Sequence, residues 1–433
     1  MFFLLPYPLS GCSTKTDFMQ YILPALTVIV STALIDLYIF TALKSVFGKF
    51  RIKKVLYNVY WAASLFCYII VLLALYTNEP IWYKPLRVYG FGFVFIVYFS
   101  KILAVPFLLI DEIRRLFSFI SRLLFRARKD HATESGGIPR SRFLSMLGIA
   151  GAAIPFASLL YGMAGSAFDY RVRKVRLSFS NLPRAFNGLK IVQVSDIHAG
   201  SFVSSRPLEK AVDMILLQGA DLIFFTGDLV NDRVTELEGL TDILGKLSAP
   251  LGVFSILGNH DYGDYYQWKS PVLKRHNLDL LKRLQRDLGW NLLLNENHIF
   301  EKDGEKIGLI GVENWSRFSH FRKYGDLEKA LKGTEELSFR ILLSHDPSHW
   351  KAEVVEKHPG VDLTLSGHTH GMQFGVEIPG FRWSPVKYFY PEWADLYKEK
   401  KQYLYVNRGL GFLGYPGRVG ILPEITVIEL FAS

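Results

Sequence analysis

The sequence predicts an α/β fold, a largely buried sheet with helices on its faces, preceded by an α-helical transmembrane region. Three observations predict it. Apolar runs of roughly 20 residues, long enough to cross a bilayer as a helix, recur up to about Met163 and then stop. From about Asp169 short apolar strands alternate with amphipathic helices, the pattern of a buried sheet with helices on its faces. Five of those strands run straight into Asp, Asn or His at a sharp Gly or Ser turn, and ligands of open α/β sheets sit beyond the carboxyl ends of strands. At 433 residues the chain is too long for one ordinary domain, and the pattern divides it at 1–168 and 169–433.

In the first part the candidate spans are residues 22–43, 55–76, 88–110 and 143–163, the last rich in Gly and Ala. They account for a hydrophobic content of 50% and a mean hydropathy of +0.17. The first connection holds Lys44, Lys49, Arg51, Lys53 and Lys54, and the third holds Arg114, Arg115, Arg122, Arg126, Arg128, Lys129, Arg140 and Arg142. The second has only Lys84 and Arg87. The positive-inside rule then places both ends, and the domain that follows, on the non-cytoplasmic side. These flanks also explain the net charge of +10 better than a nucleic-acid partner does. Asp36 and Lys101 are costly inside a bilayer: they pair with each other, or they mark a span end placed elsewhere. Residues 113–125 either lie along the inner lipid surface or extend the third helix. Trp82 and Tyr83 follow the second span, and the polar tract 130–139 reads as a mobile loop. Leu9-Ser10-Gly11-Cys12 looks like a lipoprotein box but has no basic residue before it, so it reads as coincidence.

In the second part Ser205 is placed to cap a helix with Pro207 early in it and Gly219 at its end; Leu208, Ala211, Val212 and Ile215 form its apolar face. Leu237, Leu240, Leu244 and Leu247 repeat the pattern, as do Leu278, Leu281, Leu284 and Leu288. Adjacent strands are expected at Leu189 to His198, Asp221 to Asp228, Gly252 to Asp261, Arg340 to His345 and Val361 to His370. Ile307 to Val312, Gln402 to Val406 and Glu424 to Leu430 read as further strands, and Arg171 to Arg176 as part of the first.

The groups at the strand ends suit a dinuclear metal centre. Two divalent ions held close together need a bridging carboxylate and several neutral imidazoles. Asp228 is the natural bridge. Asp196, His198 and His370 complete one shell; Asn259, His345 and His368 complete the other. Such a pair clamps a phosphoryl group and lowers the pKa of bound water to roughly 7. His260 is free to protonate a leaving oxygen, and Asp261 to hold its imidazole. The donors are oxygen and nitrogen only, because Cys12 and Cys67 both precede this part; that admits Mn²⁺, Fe²⁺, Zn²⁺ or Co²⁺. His276, His298, His320, His349 and His358 read as ordinary histidines, with His349 the exception to watch.

Asp196-Ile197-His198, Gly227-Asp228, Gly258-Asn259-His260-Asp261, His345 and Gly367-His368-Thr369-His370 resemble, in order and spacing, the five signature blocks of calcineurin-like metallophosphoesterases. The resemblance implies a four-layer α/β sandwich, mixed β-sheets flanked by helices, and the same metal assignments. Ser195, Tyr262 and Asn407-Arg408-Gly409-Leu410-Gly411 look closest to a bacterial membrane-associated branch, which implies the inner membrane and a lipid-linked phosphodiester.

Three stretches flanking these blocks mix aromatic and cationic residues: Tyr265, Tyr266, Trp268 and Lys269; Trp315, Arg317, Phe318, Phe321 and Arg322; and Phe381, Arg382, Lys387, Tyr388, Phe389, Tyr390 and Trp393. Such side chains suit a lipid surface and a phosphorylated amphiphile. They also suit a nucleotide, which keeps a nuclease or nucleotide phosphodiesterase as an alternative. A membrane scaffold with a weakly active site is the third reading, and the presence of His260 argues against it.

Overall fold

The computed structural model describes residues 15–76, 84–125 and 140–433, which fall in two compact units, Met1–Tyr161 and Gly162–Ser433. The tracts 9–12, 82–83 and 130–139 singled out in the sequence, and Arg126, Arg128 and Lys129, lie outside the described residues.

The first unit is a set of four helices, α1 (Lys15–Phe47), α2 (Lys53–Tyr76), α3 (Lys84–Phe125) and α4 (Arg140–Tyr161), each long and apolar enough to cross a membrane. Helix α3 continues unbroken through 113–125, so that stretch extends the third helix and forms no separate surface helix. Asp36 and Lys101 do pair. Lys101 Nζ lies 2.5 Å from Asp36 Oδ1 and 2.8 Å from Ser64 Oγ, on a third helix. The Tyr68 and Tyr98 hydroxyls donate to Asp36 Oδ2 at 2.7 and 3.1 Å, and Tyr60 donates to the Asp36 carbonyl at 2.8 Å. Either charge alone costs roughly 2.5–3.5 kcal/mol at the centre of a spanning helix, so three helices converge on supplying partners.

The second unit holds two six-stranded sheets. The first contains β1 (Arg171–Phe179), β2 (Leu189–Val194), β3 (Leu222–Phe225), β4 (Val253–Ser255), β5 (Trp290–Leu292) and the last strand, β14 (Glu424–Ala432). The second contains β6 (Glu296–Lys302), β7 (Glu305–Gly311), β8 (Arg340–Leu343), β9 (Leu363–Ser366), β12 (Asp395–Glu399) and β13 (Gln402–Val406). A short hairpin, β10 (Val376–Ile378) and β11 (Phe381–Trp383), stands apart. The orders are β1-β14-β2-β3-β4-β5 and β12-β13-β9-β8-β7-β6. Pairing is parallel from β2 through β5 and from β7 through β9 to β13. It is antiparallel at β14–β2, β6–β7 and β12–β13, so both sheets are mixed. The five ligand-bearing strands are therefore not one adjacent series: β2, β3 and β4 belong to one sheet, β8 and β9 to the other.

Alternation along the strands explains why two sheets meet. Val192, Val194, Ile223 and Phe225 face one way, against Leu208, Ala211, Val212 and Ile215 of α5 (Arg206–Leu216). Ile191, Leu222 and Phe224 face the other way and pack with Leu309, Ile341, Leu343 and Leu365 of the second sheet. The outer face of that sheet, with Ile310, Leu342 and Leu404, is covered by Trp350, Val354 and short helical turns. Helix, sheet, sheet and helix make four layers.

The local detail departs from expectation at two places. Ser205 has helical dihedrals and does not cap α5; its hydroxyl donates to Glu209 Oε1 at 2.8 Å. The leucines at 237–247 are buried as expected, but only Leu237, on a 3-10 turn, Val234–Leu237, and Leu244, on the one-turn helix α6 (Thr241–Leu244), are helical. The third pattern does form a long helix, α7 (Pro271–Asp287), capped by Ser270 Oγ, which accepts from Leu273 N.

Candidate metal centre

The turns after β2, β3, β4, β8 and β9 come together at the carboxyl ends of both sheets. They are stitched by backbone bonds: Asp196 N donates to Gly227 O at 2.9 Å, His198 N to Asp228 O at 3.1 Å, and Gly367 N to His345 O at 2.9 Å. The turns are so close that two glycines have no substitute. A Cβ on Gly258 would stand 2.2 Å from Asp228 Oδ1, and one on Gly367 would stand 2.2 Å from Asp196 Oδ2. Five of the expected ligands, Asp196, His198, Asp228, His368 and His370, have φ between 47° and 72°. That left-handed backbone costs of order 1–3 kcal/mol at a residue other than glycine and clusters where a site demands it.

Two buried groups of three result: Asp196, His198 and His370; and Asp228, His345 and His368. Within each group one ligand atom per residue lies within 4.8 Å of the others. Asn259 joins the second group, its Oδ1 2.8 Å from His368 Nδ1. Asp228 reaches both. Its Oδ1 accepts from His260 N at 2.9 Å, which turns Oδ2 inward, 3.1 Å from His345 Nε2 and 3.6 Å from His198 Nε2. All seven expected ligands are thus brought together.

Neighbours fix the presenting atom of each imidazole. His345 Nδ1 donates to Thr226 O at 2.7 Å, which leaves Nε2 as the atom that faces inward. His368 has the opposite sense: Nε2 meets the Tyr390 hydroxyl at 2.8 Å and Nδ1 points to Asn259 and His345. Burial opposes charge on His345, yet Asp228 and Asp196 pull its pKa up to about 10; burial pushes His198 and His368 down. The donor set fits a pair of divalent ions. His198 Nε2 and His370 Nε2 stand 3.0 Å apart, an approach that two imidazoles tolerate only around a shared proton or cation. His198 Nδ1 and Ser195 Oγ are buried beside them without a hydrogen-bond partner among the described residues.

His260 borders the centre, its ring edge-on to His198 at 5.0 Å between centroids and 4.6 Å from Tyr265. Among the described residues Asp261 makes no hydrogen bond to the His260 ring, the contact expected of it. His260 Nδ1 meets the carbonyl of Asn231 at 2.7 Å. Asp261 turns inward and accepts from the backbone N–H groups of Asp228, Leu229, Val230 and Gly258 at 2.8–3.2 Å, which shapes the Asp228 turn. Burial and the Asp228 charge push its pKa up to about 7. His349 is no ligand: it is buried between Ser344 Oγ and Glu353 Oε2 and stacks on Trp315.

Of the aromatic stretches, Tyr265, Phe321 and Tyr390 reach the centre, where they touch His260, His368 and Asn259. Arg408 points away from the metal groups. It is fully buried and bonded to Glu424, Asp395 and Glu377, which ties β13, β14, β12 and the β10–β11 hairpin together. Sequence reading passed over Asp346 and Arg418. Asp346 directly follows His345 and was masked by it; Arg418, buried with Nη2 3.3 Å from His370 Nδ1, belongs to no block.

Comparison with known proteins follows the same division. Residues 189–372 match the family described as "Calcineurin-like phosphoesterase", and residues 19–166 match "Probable Calcineurin-like phosphoesterase, transmembrane domain". The chain is 30% identical over 320 residues to the Danio rerio "Transmembrane protein with metallophosphoesterase domain", across 72% of this chain and 67% of that protein. It is 31% identical over 298 residues to the "Uncharacterized metallophosphoesterase YkuE" of Bacillus subtilis, across 67% of this chain and 97% of that one. It is 30% identical over 287 residues to the "UDP-2,3-diacylglucosamine pyrophosphatase LpxG" of Chlamydia trachomatis, across 55% of this chain and 84% of that one. Against the Danio rerio and Bos taurus relatives it spans about two-thirds of their length, 67% and 65%. The chain belongs to the calcineurin-like metallophosphoesterases, hydrolases of phosphoester bonds, and is a membrane protein that carries the family's transmembrane domain ahead of the catalytic one.

Proposed function

We propose that this protein hydrolyses a phosphodiester or pyrophosphate bond in a lipid-linked or membrane-proximal substrate. The reading rests on one observation above the rest: Asp228 Oδ2 lies between the two ligand groups, within reach of an imidazole from each. Asp196, His198 and His370 would hold one divalent ion; Asn259, His345 and His368 would hold the second; Asp228 would be common to both. When bound, such ions supply charge for the phosphoryl oxygens and acidify a water to a pKa of roughly 7.

The chain's own groups do the rest. The His260 amide fixes Asp228. Asn231 O accepts from Nδ1–H and holds the His260 ring, which leaves Nε2 as the atom that exchanges a proton; in the imidazolium form it gives that proton to a leaving oxygen, a contribution of about 10²–10⁴ in rate. Tyr265, whose hydroxyl accepts from Asn259 Nδ2 at 3.0 Å, walls the same side. The lipid part of the reading draws on the similarity to a diacylglucosamine pyrophosphatase and on the four apolar helices in the same chain. The excess of Lys and Arg in the first and third connections supports a catalytic unit on the non-cytoplasmic side.

The full-length protein in lipid–detergent micelles, loaded with Mn²⁺, is the material for a test. A diacylated sugar-nucleotide pyrophosphate is expected to turn over about tenfold or more faster than bis(p-nitrophenyl) phosphate, because remote binding energy raises turnover. Equal rates remove the lipid part. Faster turnover of cyclic nucleotides than of either would put the nucleotide reading in its place.

A further inference from the structure

The second ligand group is held from behind by one segment. Residues 384–393 follow the β10–β11 hairpin and grip the His368 turn at three points. Ser384 Oγ donates to Gly371 O at 2.8 Å, Thr369 Oγ1 donates to Trp393 O at 2.6 Å, and the Tyr390 hydroxyl meets His368 Nε2 at 2.8 Å. The same hydroxyl lies 3.1 Å from Asp346 Oδ2. Asp346 is itself buried, and its Oδ1 accepts from Ser348 N at 2.7 Å. A carboxylate only accepts, so Tyr390 donates to Asp346 and its oxygen accepts from His368 Nε2–H. This order of donors settles the tautomer: Nδ1 of His368 is left with its lone pair, and Nδ1 is the atom that faces Asn259 Oδ1 and His345 Nε2.

We infer that Tyr390 and Asp346 are positioning residues for the second metal ion, holding His368 in the Nδ1-ligating tautomer and orientation. The inference rests on the two-ion reading above and adds a layer behind it. It also gives the 384–393 segment a function beyond packing. Two exposed side chains, Tyr388 and Phe389, precede Tyr390 directly, and Arg317 Nη2 donates to Phe389 O at 2.8 Å. Whatever displaces that rim displaces the residue that orients a ligand. The first group is backed differently: among the described residues His198 Nδ1 has no hydrogen-bond partner, and His370 Nδ1 lies 3.3 Å from Arg418 Nη2.

Mn²⁺ binding to the full chain, followed by electron paramagnetic resonance and by metal content after dialysis, tests this without reference to turnover. Tyr390→Phe keeps the ring against Phe318 and removes only the hydroxyl. It is expected to weaken one of two ions by about 10–100-fold and leave the other unchanged, the usual effect of losing a group behind a ligand. Asp346→Asn is expected to act in the same direction. In the metal-free protein, ¹⁵N shifts of His368 are expected to show Nε2–H in the wild type and a mixture of tautomers in Tyr390→Phe. Unchanged affinity for both ions, or equal weakening of both together with a lower melting temperature, overturns the inference and leaves two-ion binding standing. A wild-type protein that takes up fewer than two ions overturns the reading beneath it, and this inference with it.

Discussion

Each unit of the protein buries charge, and the two do it in opposite ways. In the membrane unit the Asp36 carboxylate is answered completely: an ammonium from Lys101, hydroxyls from Tyr68 and Tyr98, and Ser64 to take up another Lys101 hydrogen. Opposite charges meet, and the set closes on itself. In the catalytic unit like meets like as well as unlike. Imidazole faces imidazole across 3.0 Å, two carboxylates converge, and the backbone under them is left-handed at five residues. A cluster that completes itself stabilises a fold; one that remains incomplete is shaped for something the chain does not supply, here divalent cations.

Variants can break either half of this comparison. Asp228→Ala removes the oxygen common to both groups. It is expected to take activity to background and metal content below two per chain, as read by elemental analysis, with the protein still folded. His260→Ala should lower kcat by about 10²–10⁴ while both ions stay, because His260 borders the centre without belonging to either ligand group. On the other side, Asp36→Asn alone strands Lys101. Breaking a buried pair costs about 3–5 kcal/mol, so thermal unfolding in detergent should shift down sharply while metal content per folded chain is unchanged. Asp36→Asn with Lys101→Met should recover most of the loss. If the double variant remains as unstable as the single one, the pair is not the self-contained element described.

The smallest effect concerns Asp395. Burial alone would raise its pKa, but the hydrogen bonds and charge of Arg408, with Arg382 and Arg173 nearby, hold it at about 2 against an ordinary 3.8. A depressed folded value stabilises above 3.8 and is lost as pH falls through about 2. Unfolding free energy should therefore decline across that window, and Asp395→Asn should flatten the decline while lowering stability near neutrality.

How much of this was legible in the sequence varied with the range of the interaction. The ligand blocks were readable because each is local: an apolar strand, a glycine turn and the donor follow one another within ten residues, as from Val361 to His370. The helix at 206–216 was readable from its periodicity. The division of the five strands between two sheets was not, since Leu222 and Ile341 carry the same apolar signal in either sheet. Asp261 misled because adjacency to His260 suggested contact, whereas the tight Gly258 turn points its carboxylate at the amides of the Asp228 loop. Tyr390 was visible only as one aromatic among several; its bond to His368 spans 22 residues and needed the segment's path in space. The Asp36–Lys101 pair could be raised as a question from cost alone, but the tyrosines that answer it lie on other helices.

The most direct test of the central claim is anomalous diffraction from Mn²⁺-loaded crystals. Two peaks roughly 3.5–4 Å apart, with Asp228 between them and Asp196, His198 and His370 on one side and Asn259, His345 and His368 on the other, are the predicted result. A single peak, or two peaks that do not share Asp228, would contradict it.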